Sequence, residues 1–149
     1  MLTIDAMYDE SRILVDGHRG WMTKYPQNTL LSFEKAFDLG VDMVEFDVNL
    51  TADGVPVIIH NNTVDATTDH TGPTRAYTLK EIKAMDAACR FEGEGDFAGK
   101  GITIPTLEEL LERPIPGMCC LIARSRTTRW TSWMRHCGSS RASRASWIA

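Results

Sequence analysis

The sequence lacks the features of a membrane-spanning or exported protein. None of its apolar runs approaches the ~20 residues that a transmembrane helix needs. The N-terminal MLTIDAMYDESR is acidic and has neither the basic start nor the apolar core of a secretory signal. We therefore expect a cytoplasmic chain without stable membrane insertion, in which the 4 cysteines are free thiols.

Acidic residues are missing from the C-terminal part of the chain. Residues 117–149 contain no Asp, Glu or Lys but six arginines, whereas residues 1–116 carry 10 basic and 20 acidic side chains. The net charge of −4 argues against a dedicated nucleic-acid-binding protein. The tail also holds three of the 4 tryptophans and shows no apolar period of a strand or helix. A basic interaction tail, a disordered end and out-of-frame translation are the three interpretations, and disorder fits the Trp and Cys content poorly.

What is present is the composition of one soluble globular domain. The chain has 149 residues, of which 43% are hydrophobic and 24% charged. Residues 13–15 predict a short buried strand that leads into a loop at residues 16–20. An apolar stripe from Leu30 to Phe37 predicts a helix, capped by Asn or Thr before it and ended by Gly40.

The alternation in residues 43–50 (MVEFDVNL) is the most informative pattern. Glu45, Asp47 and Asn49 fall on one face of the predicted strand and apolar residues on the other. If that polar face lies inside a barrel, two carboxylates repel each other there, and a hard cation such as Mg²⁺ or Ca²⁺ relieves the repulsion. The alternative is a two-stranded ribbon whose polar face is solvated.

Two histidines follow predicted strands on either side of this acidic strand. His18 leaves the first strand with Arg19 beside it, and His60 ends the strand at residues 55–60, after a hairpin-type turn at Asp53 and Gly54. Imidazoles suit acid and base catalysis near neutral pH, and an arginine can hold a phosphate oxygen. We give no functional role to His70 or His136.

Further helices are predicted by two capping boxes, Thr78 with Glu81 and Thr106 with Glu109. The first helix is expected to reach about residue 88. Strands that end in polar residues and alternate with helices favour the N-terminal part of an α/β barrel, whose active site lies after the strands.

These motifs, in this order, resemble the glycerophosphodiester phosphodiesterase family. The resemblance covers residues 13–112 and is carried by GHRG at 17–20, PQNT at 26–29, EFDV at 45–48, DGVPVIIH at 53–60 and IPTLEE at 104–109. It implies a partial TIM (β/α)8-type barrel, with residues 8–116 as the N-terminal part of the domain. The implied reaction is metal-assisted hydrolysis of a small-molecule glycerophosphodiester to glycerol 3-phosphate and an alcohol.

The resemblance also implies roles for individual residues. His18 and His60 match the acid/base pair, Arg19 the phosphate contact, and Glu45 and Asp47 two carboxylate ligands of a divalent metal, Mg²⁺ or Ca²⁺. Which histidine is the acid, the head group and the oligomeric state stay open.

Three local departures accompany this match. Gln27 replaces the usual Glu, Asn61 the Asp after the histidine, and Ala66 an Arg.

A larger departure begins near residue 117. A TIM barrel takes about 250 residues, and the family pattern continues with a strand that ends in Glu-Ile-Lys, whose Glu is the third metal ligand. That strand is absent as written. The shifted frame joins the third base of each codon to the first two bases of the following codon. In that frame, the junction of the Met118 and Cys119 codons must encode Val, and the junction of the Cys119 and Cys120 codons must encode Leu. Synonymous codons at the other positions permit this frame to read Asp-Val-Leu-Leu-Asn-Cys-Glu-Ile-Lys-Asp. The codon of its Glu is formed from the last base of the Ala123 codon and the first two bases of the Arg124 codon.

We therefore predict that residues 117–149 are out of frame and do not form a domain, and that the truncated chain is unstable or inactive alone. Two other functions are considered. A sphingolipid or lysolipid phosphodiesterase would need membrane-facing aromatic loops, for which Trp21, Met22 and Tyr25 are the candidates. A basic-tailed binding module would need salt-dependent binding through residues 117–149.

Overall fold

The structure is a computed structural model that describes residue 11, residues 13–113 and the backbone of residues 121–125. Predictions for the rest of the tail, including Cys119, Cys120, Cys137 and His136, lie outside these residues. The elements along the described residues are β1 (Asp16–His18), α1 (Leu30–Leu39), β2 (Met43–Leu50), β3 (Pro56–Ile58), a 3-10 turn (Thr74–Ala76), α2 (Leu79–Ala84), α3 (Leu107–Glu112) and β4 (Leu121–Ser125). Of the helices in these ranges, none combines the length and apolar character needed to cross a bilayer.

Strand β2 is the centre of the sheet. It pairs in parallel with β1 through Met43 to Glu45 and in parallel with β4 through Val44 to Val48. It pairs antiparallel with β3 through Val48 to Leu50. Because β4 spans the middle of one edge of β2, β1 and β3 share the opposite edge.

The two strands on that shared edge run towards each other. The Arg19 N–H, directly after β1, donates to the Glu45 carbonyl at 3.0 Å, and the Ile59 N–H, directly after β3, donates to the Asp47 carbonyl at 2.9 Å. The chain segments that leave β1 and β3 therefore meet beside the acidic part of β2.

Helix α1 has the ends predicted from the sequence. The Thr29 side chain accepts a hydrogen bond from the Ser32 N–H, and Gly40 ends the helix in the left-handed conformation with φ of 97°. The buried face of α1, with Phe33, Ala36 and Phe37, packs on the apolar face of β2. Both capping boxes are also present, at α2 and α3.

Two apolar clusters fill the interior. The first lies between α1, β2 and α3 and contains Phe33, Ala36, Phe37, Val44, Phe46, Val48, Ile58, Leu107 and Leu110. The second lies under the segment after β3 and contains Val57, Ile59, Val64, Ile82, Met85, Ala87 and Ile104. Since β2 is covered on its apolar face and paired on both edges, its whole length is buried except for Leu50 at the end.

Three local predictions were wrong. Residues 13–15 are not a strand, and Ile13 is 90% exposed, because pairing with β2 begins only at Asp16. The strand β3 is shorter than predicted, so His60 lies two residues beyond its end, although the antiparallel pairing of β3 with β2 is the one that a hairpin-type turn at Asp53 and Gly54 predicts. Helix α2 ends at Ala84, since Met85 is extended and turns into the second core.

The first cluster generates a stability prediction. Phe46 is fully buried and meets Phe33 edge to face, with 6.1 Å between ring centroids. We expect Phe46→Ala to lower the free energy of unfolding by about 3–5 kcal/mol, measured by urea denaturation, because it leaves a cavity. Leu39→Ala, on the exposed end of α1, is the control and should change it by less than about 0.5 kcal/mol. Equal losses would show that this cluster does not support the fold.

Candidate active site

Two buried carboxylates form the base of the site. Glu45 and Asp47 lie on the polar face of β2 and are only 2% and 4% exposed. This burial rules out the solvated ribbon, in which the same face would be open to water. Burying two carboxylates so close together is costly unless positive charge or a cation compensates them.

Arg19 supplies positive charge on one side of this pair. Its Nε lies 3.7 Å from Asp47 Oδ2, and its Nη1 donates to Gln27 Oε1 at 2.8 Å. The Asp47 Oδ2 atom is buried and has no hydrogen-bond partner among the described residues. The guanidinium therefore faces Asp47 without a direct hydrogen bond and is oriented by a neutral amide.

The loop that carries Arg19 has an unusual backbone. Arg19 and Asn28 both have positive φ, 56° and 55°, and the Asn28 N–H donates to the Arg19 carbonyl at 3.1 Å. Between them, Gly20 has φ of 83° and packs directly on Ser32. Such strained positions persist only where the surrounding contacts fix them, which is common at functional sites.

His18 lies on the other side of the acidic pair. Its Nε2 is 3.8 Å from Glu45 Oε2, and 55% of its side chain is exposed. The His18 imidazole, at the end of β1, therefore lies between solvent and the buried Glu45 carboxylate.

His60 lies across the edge of β2 and borders a cleft of about 220 Å³. Its Nδ1 is 2.7 Å from Asn61 Oδ1. The cleft is lined by Arg19, Gln27, Ile59, His60, Asn61, Thr63, Ala66 and Thr67. Among the described residues that line the cleft, Arg19 is the one charged side chain, so the cleft favours an anionic group such as a phosphate.

The structure thus brings together the five residues selected from the sequence. Arg19 and His60 border one cleft, while His18 and Arg19 each approach one carboxylate of β2. Within the described ranges, no three or more His, Cys, Asp or Glu side chains converge as a metal site. Glu45 and Asp47 fit a hard cation as two oxygen ligands of an incomplete set.

Sequence reasoning missed the roles of three amides. Gln27 and Asn61 were noted only as departures, yet they contact Arg19 and His60. Asn49 was placed on the polar face without a role, yet its amide binds the backbone on both sides of His60. Two signals in the sequence indicate these roles. Asn61 directly follows His60, and Asn49 is the third polar residue in the alternation of β2.

Other candidates lie away from the cleft. His70 is exposed, and its Nδ1 contacts Asp69 at 2.9 Å, which lowers the pKa of the Asp69 carboxyl. Burial raises the pKa of the Cys89 thiol, which is free. Trp21 and Tyr25 are partly buried and meet edge to face, so they do not form the open aromatic surface that a lipid-binding loop needs.

Solved structures identify the fold as that of the TIM-barrel phosphodiesterases. A glycerophosphoryl diester phosphodiesterase from Parabacteroides distasonis superposes with a TM-score of 0.76 at 29% identity, covering 95% of this chain and 49% of that one. A phosphodiesterase from Oleispira antarctica, in complex with the product sn-glycerol-3-phosphate, gives a TM-score of 0.64 at 35% identity, covering 76% and 45%. The described α/β elements are therefore the N-terminal part of a barrel, as the sequence predicted.

Sequence comparison then gives the family. The chain belongs to the glycerophosphoryl diester phosphodiesterase family, whose sequence profile matches residues 18–146. A glycerophosphodiester phosphodiesterase from Caldanaerobacter subterraneus is 48% identical over 101 residues, which are 68% of this chain and 40% of that protein. One from Bacillus subtilis is 37% identical over 106 residues, 68% of this chain and 36% of that protein. The chain thus spans two fifths or less of these relatives.

The Gly20 contact generates a prediction about the loop. A Cβ at Gly20 would lie 2.7 Å from the Ser32 carbonyl carbon, whereas one at Gly54, with φ of 80°, would meet nothing within 4 Å. Gly54→Ala therefore isolates the cost of positive φ, about 1–2 kcal/mol. We expect Gly20→Ala to lower the free energy of unfolding by about 2–5 kcal/mol, since overpacking is added. Equal losses in urea denaturation would contradict the close packing of Gly20 on α1.

Proposed function

We propose that this chain contains the N-terminal part of the active site of a metal-dependent phosphoric diester hydrolase. The enzyme would cleave glycerophosphodiesters to glycerol 3-phosphate and an alcohol. The observation that carries the proposal is the convergence of Arg19 and His60 on one cleft beside the buried carboxylates of β2. The relatives named as glycerophosphodiester phosphodiesterases support the substrate class.

In this proposal Glu45 and Asp47 hold a divalent cation, Mg²⁺ or Ca²⁺. The buried Asp47 Oδ2, which lacks a hydrogen-bond partner among the described residues, supports this assignment. When bound, the cation supplies Lewis-acid stabilisation of charge on the phosphoryl oxygens. With two carboxylate ligands among the described residues, binding is expected to be weak.

The remaining steps belong to the side chains around the cleft. Arg19 binds a phosphate oxygen through its guanidinium, which Gln27 orients without neutralising it. His18 and His60 act as the acid and base, one activating the attacking water and the other protonating the leaving alcohol. Their separate environments, a carboxylate near His18 and an amide at His60, support different roles for the two rings.

We also propose that residues 117–149 are an out-of-frame continuation of this domain. Strand β4 supports this, because its backbone lies parallel to β2 with Ala123 beside Phe46 and Arg124 beside Asp47. The Glu of the shifted reading falls between Ala123 and Arg124, next to the acidic pair. A carboxylate at position 124 would pair with Asp47 in the sheet, which supports the assignment of a third ligand there, whereas the residues given at 123 and 124 are Ala and Arg.

The reading frame is tested by the nucleotide sequence. We expect the coding sequence from codon 105 onward, read in the shifted frame, to give Glu-Ile-Lys beside codon 124 and to continue for a further barrel-sized stretch. A shifted frame that lacks Glu-Ile-Lys, or that soon reaches a stop codon, would contradict the proposal and favour a basic-tailed binding module. That module predicts salt-dependent anion binding that is lost on deleting residues 117–149.

Metal binding and hydrolysis are tested on the chain itself. We expect calorimetric titration with Ca²⁺ or Mg²⁺ to give a dissociation constant of about 10⁻⁴–10⁻³ M. Asp47→Asn should abolish binding, whereas Asp38→Asn, at an exposed aspartate on α1, should leave it unchanged. We expect hydrolysis of glycerophosphocholine to be far below that of full-length relatives. Hydrolysis at the rate of those relatives would show that the chain needs no third carboxylate.

A further inference from the structure

Asn49 is a buried polar residue to which the proposed chemistry gives no role. It lies on β2 two residues after Asp47, on the same face as the carboxylates, and is 4% exposed. A buried amide is costly unless its donors are satisfied, so its partners indicate what it does.

Both partners of its amide lie beside His60. Asn49 Nδ2 donates to the Ile59 carbonyl at 2.8 Å and to the Asn61 carbonyl at 3.2 Å. These are the two carbonyl groups that flank His60 in the chain. One side chain of β2 therefore holds the backbone on each side of the histidine.

The Asn49 amide bonds lie where the backbone hydrogen bonds between β2 and β3 end. The last backbone bond between the strands joins the Ile59 N–H to the Asp47 carbonyl at 2.9 Å. Beyond it, the backbone bends at residues 60–61, which line the cleft. The Asn49 amide extends the connection to β2 by two residues.

A second amide then sets the orientation of the ring. Asn61 Oδ1 lies 2.7 Å from His60 Nδ1, and an amide oxygen can only accept a hydrogen bond. Nδ1 of the neutral ring therefore carries the hydrogen, and Nε2 keeps the lone pair. Because Asn49 holds the Asn61 backbone, both the position and the tautomer of His60 depend on β2.

We propose that Asn49 is a positioning residue that fixes His60, through the backbone of Ile59 and Asn61, in the Nδ1–H tautomer with Nε2 available to the cleft. The inference deepens the proposed function and rests on it for the catalytic use of Nε2. The arrangement of the ring itself does not depend on whether the chain hydrolyses a diester. The same strand thus carries the two carboxylates and, through Asn49, positions the backbone around His60.

The test measures the tautomer of His60 in the full chain. Long-range ¹H–¹⁵N spectra of the ¹⁵N-histidine-labelled protein at pH 8, assigned with His60→Gln, should show His60 as the Nδ1–H form. Asn49→Asp keeps the shape of the side chain but loses both donated bonds, so we expect His60 to change to a mixture dominated by Nε2–H. Asn62→Asp adds the same charge at an exposed site on the same loop and should leave the tautomer unchanged.

Two further variants keep the test decisive. Asn49→Ser adds no charge and is too short to reach both carbonyls, so it replaces Asn49→Asp if that variant unfolds. Asn61→Ala removes the acceptor directly and should give the same change of tautomer with Asn49 intact. A folded Asn49 variant that keeps the wild-type His60 spectrum would overturn the proposal. A wild-type Nδ1–H spectrum in a chain that does not bind Ca²⁺ or Mg²⁺ would instead count against the proposed function alone.

Discussion

The site depends on the sharing of one edge of β2 by two strands of opposite direction. β1 pairs in parallel with the first half of β2, and β3 pairs antiparallel with the second half. The residues that leave these strands are therefore delivered to the same point, beside Glu45 and Asp47. Without this arrangement, His60 would be carried away from Arg19, and the cleft between them would not exist.

Burial of the polar face of β2 sets the electrostatics of that point. Two carboxylates at 2% and 4% exposure are approached by Arg19 at 3.7 Å and by His18 at 3.8 Å. The neutral amide of Gln27 orients the Arg19 guanidinium without neutralising its charge, as a second carboxylate would. Buried negative charge on β2 and the positive charge of Arg19 therefore lie side by side, which is the arrangement on which the proposed metal-assisted phosphodiester hydrolysis rests.

The partial character of the domain follows from the same sheet. β4 lies on the second edge of β2, where a barrel places its next strand, but the written sequence there has no acidic residue. Two carboxylates bind a divalent cation less tightly than three, because affinity rises with the number of charged ligands. In the proposed function, the described structure thus supplies Arg19, the two histidines and two of the carboxylate ligands.

Much of this was accessible from the sequence, and the reason is local. Thr29 and Gly40 determined the ends of α1, the capping boxes determined the starts of α2 and α3, and alternation determined which face of β2 is polar. Capping and alternation are decided by neighbouring residues, so one sequence suffices. Only the tertiary structure decided that the polar face is buried, that β1 and β3 share one edge of β2 and that Asn49 reaches the backbone around His60. A period of two identifies a face but not what covers that face, because the covering elements come from residues far away in the chain.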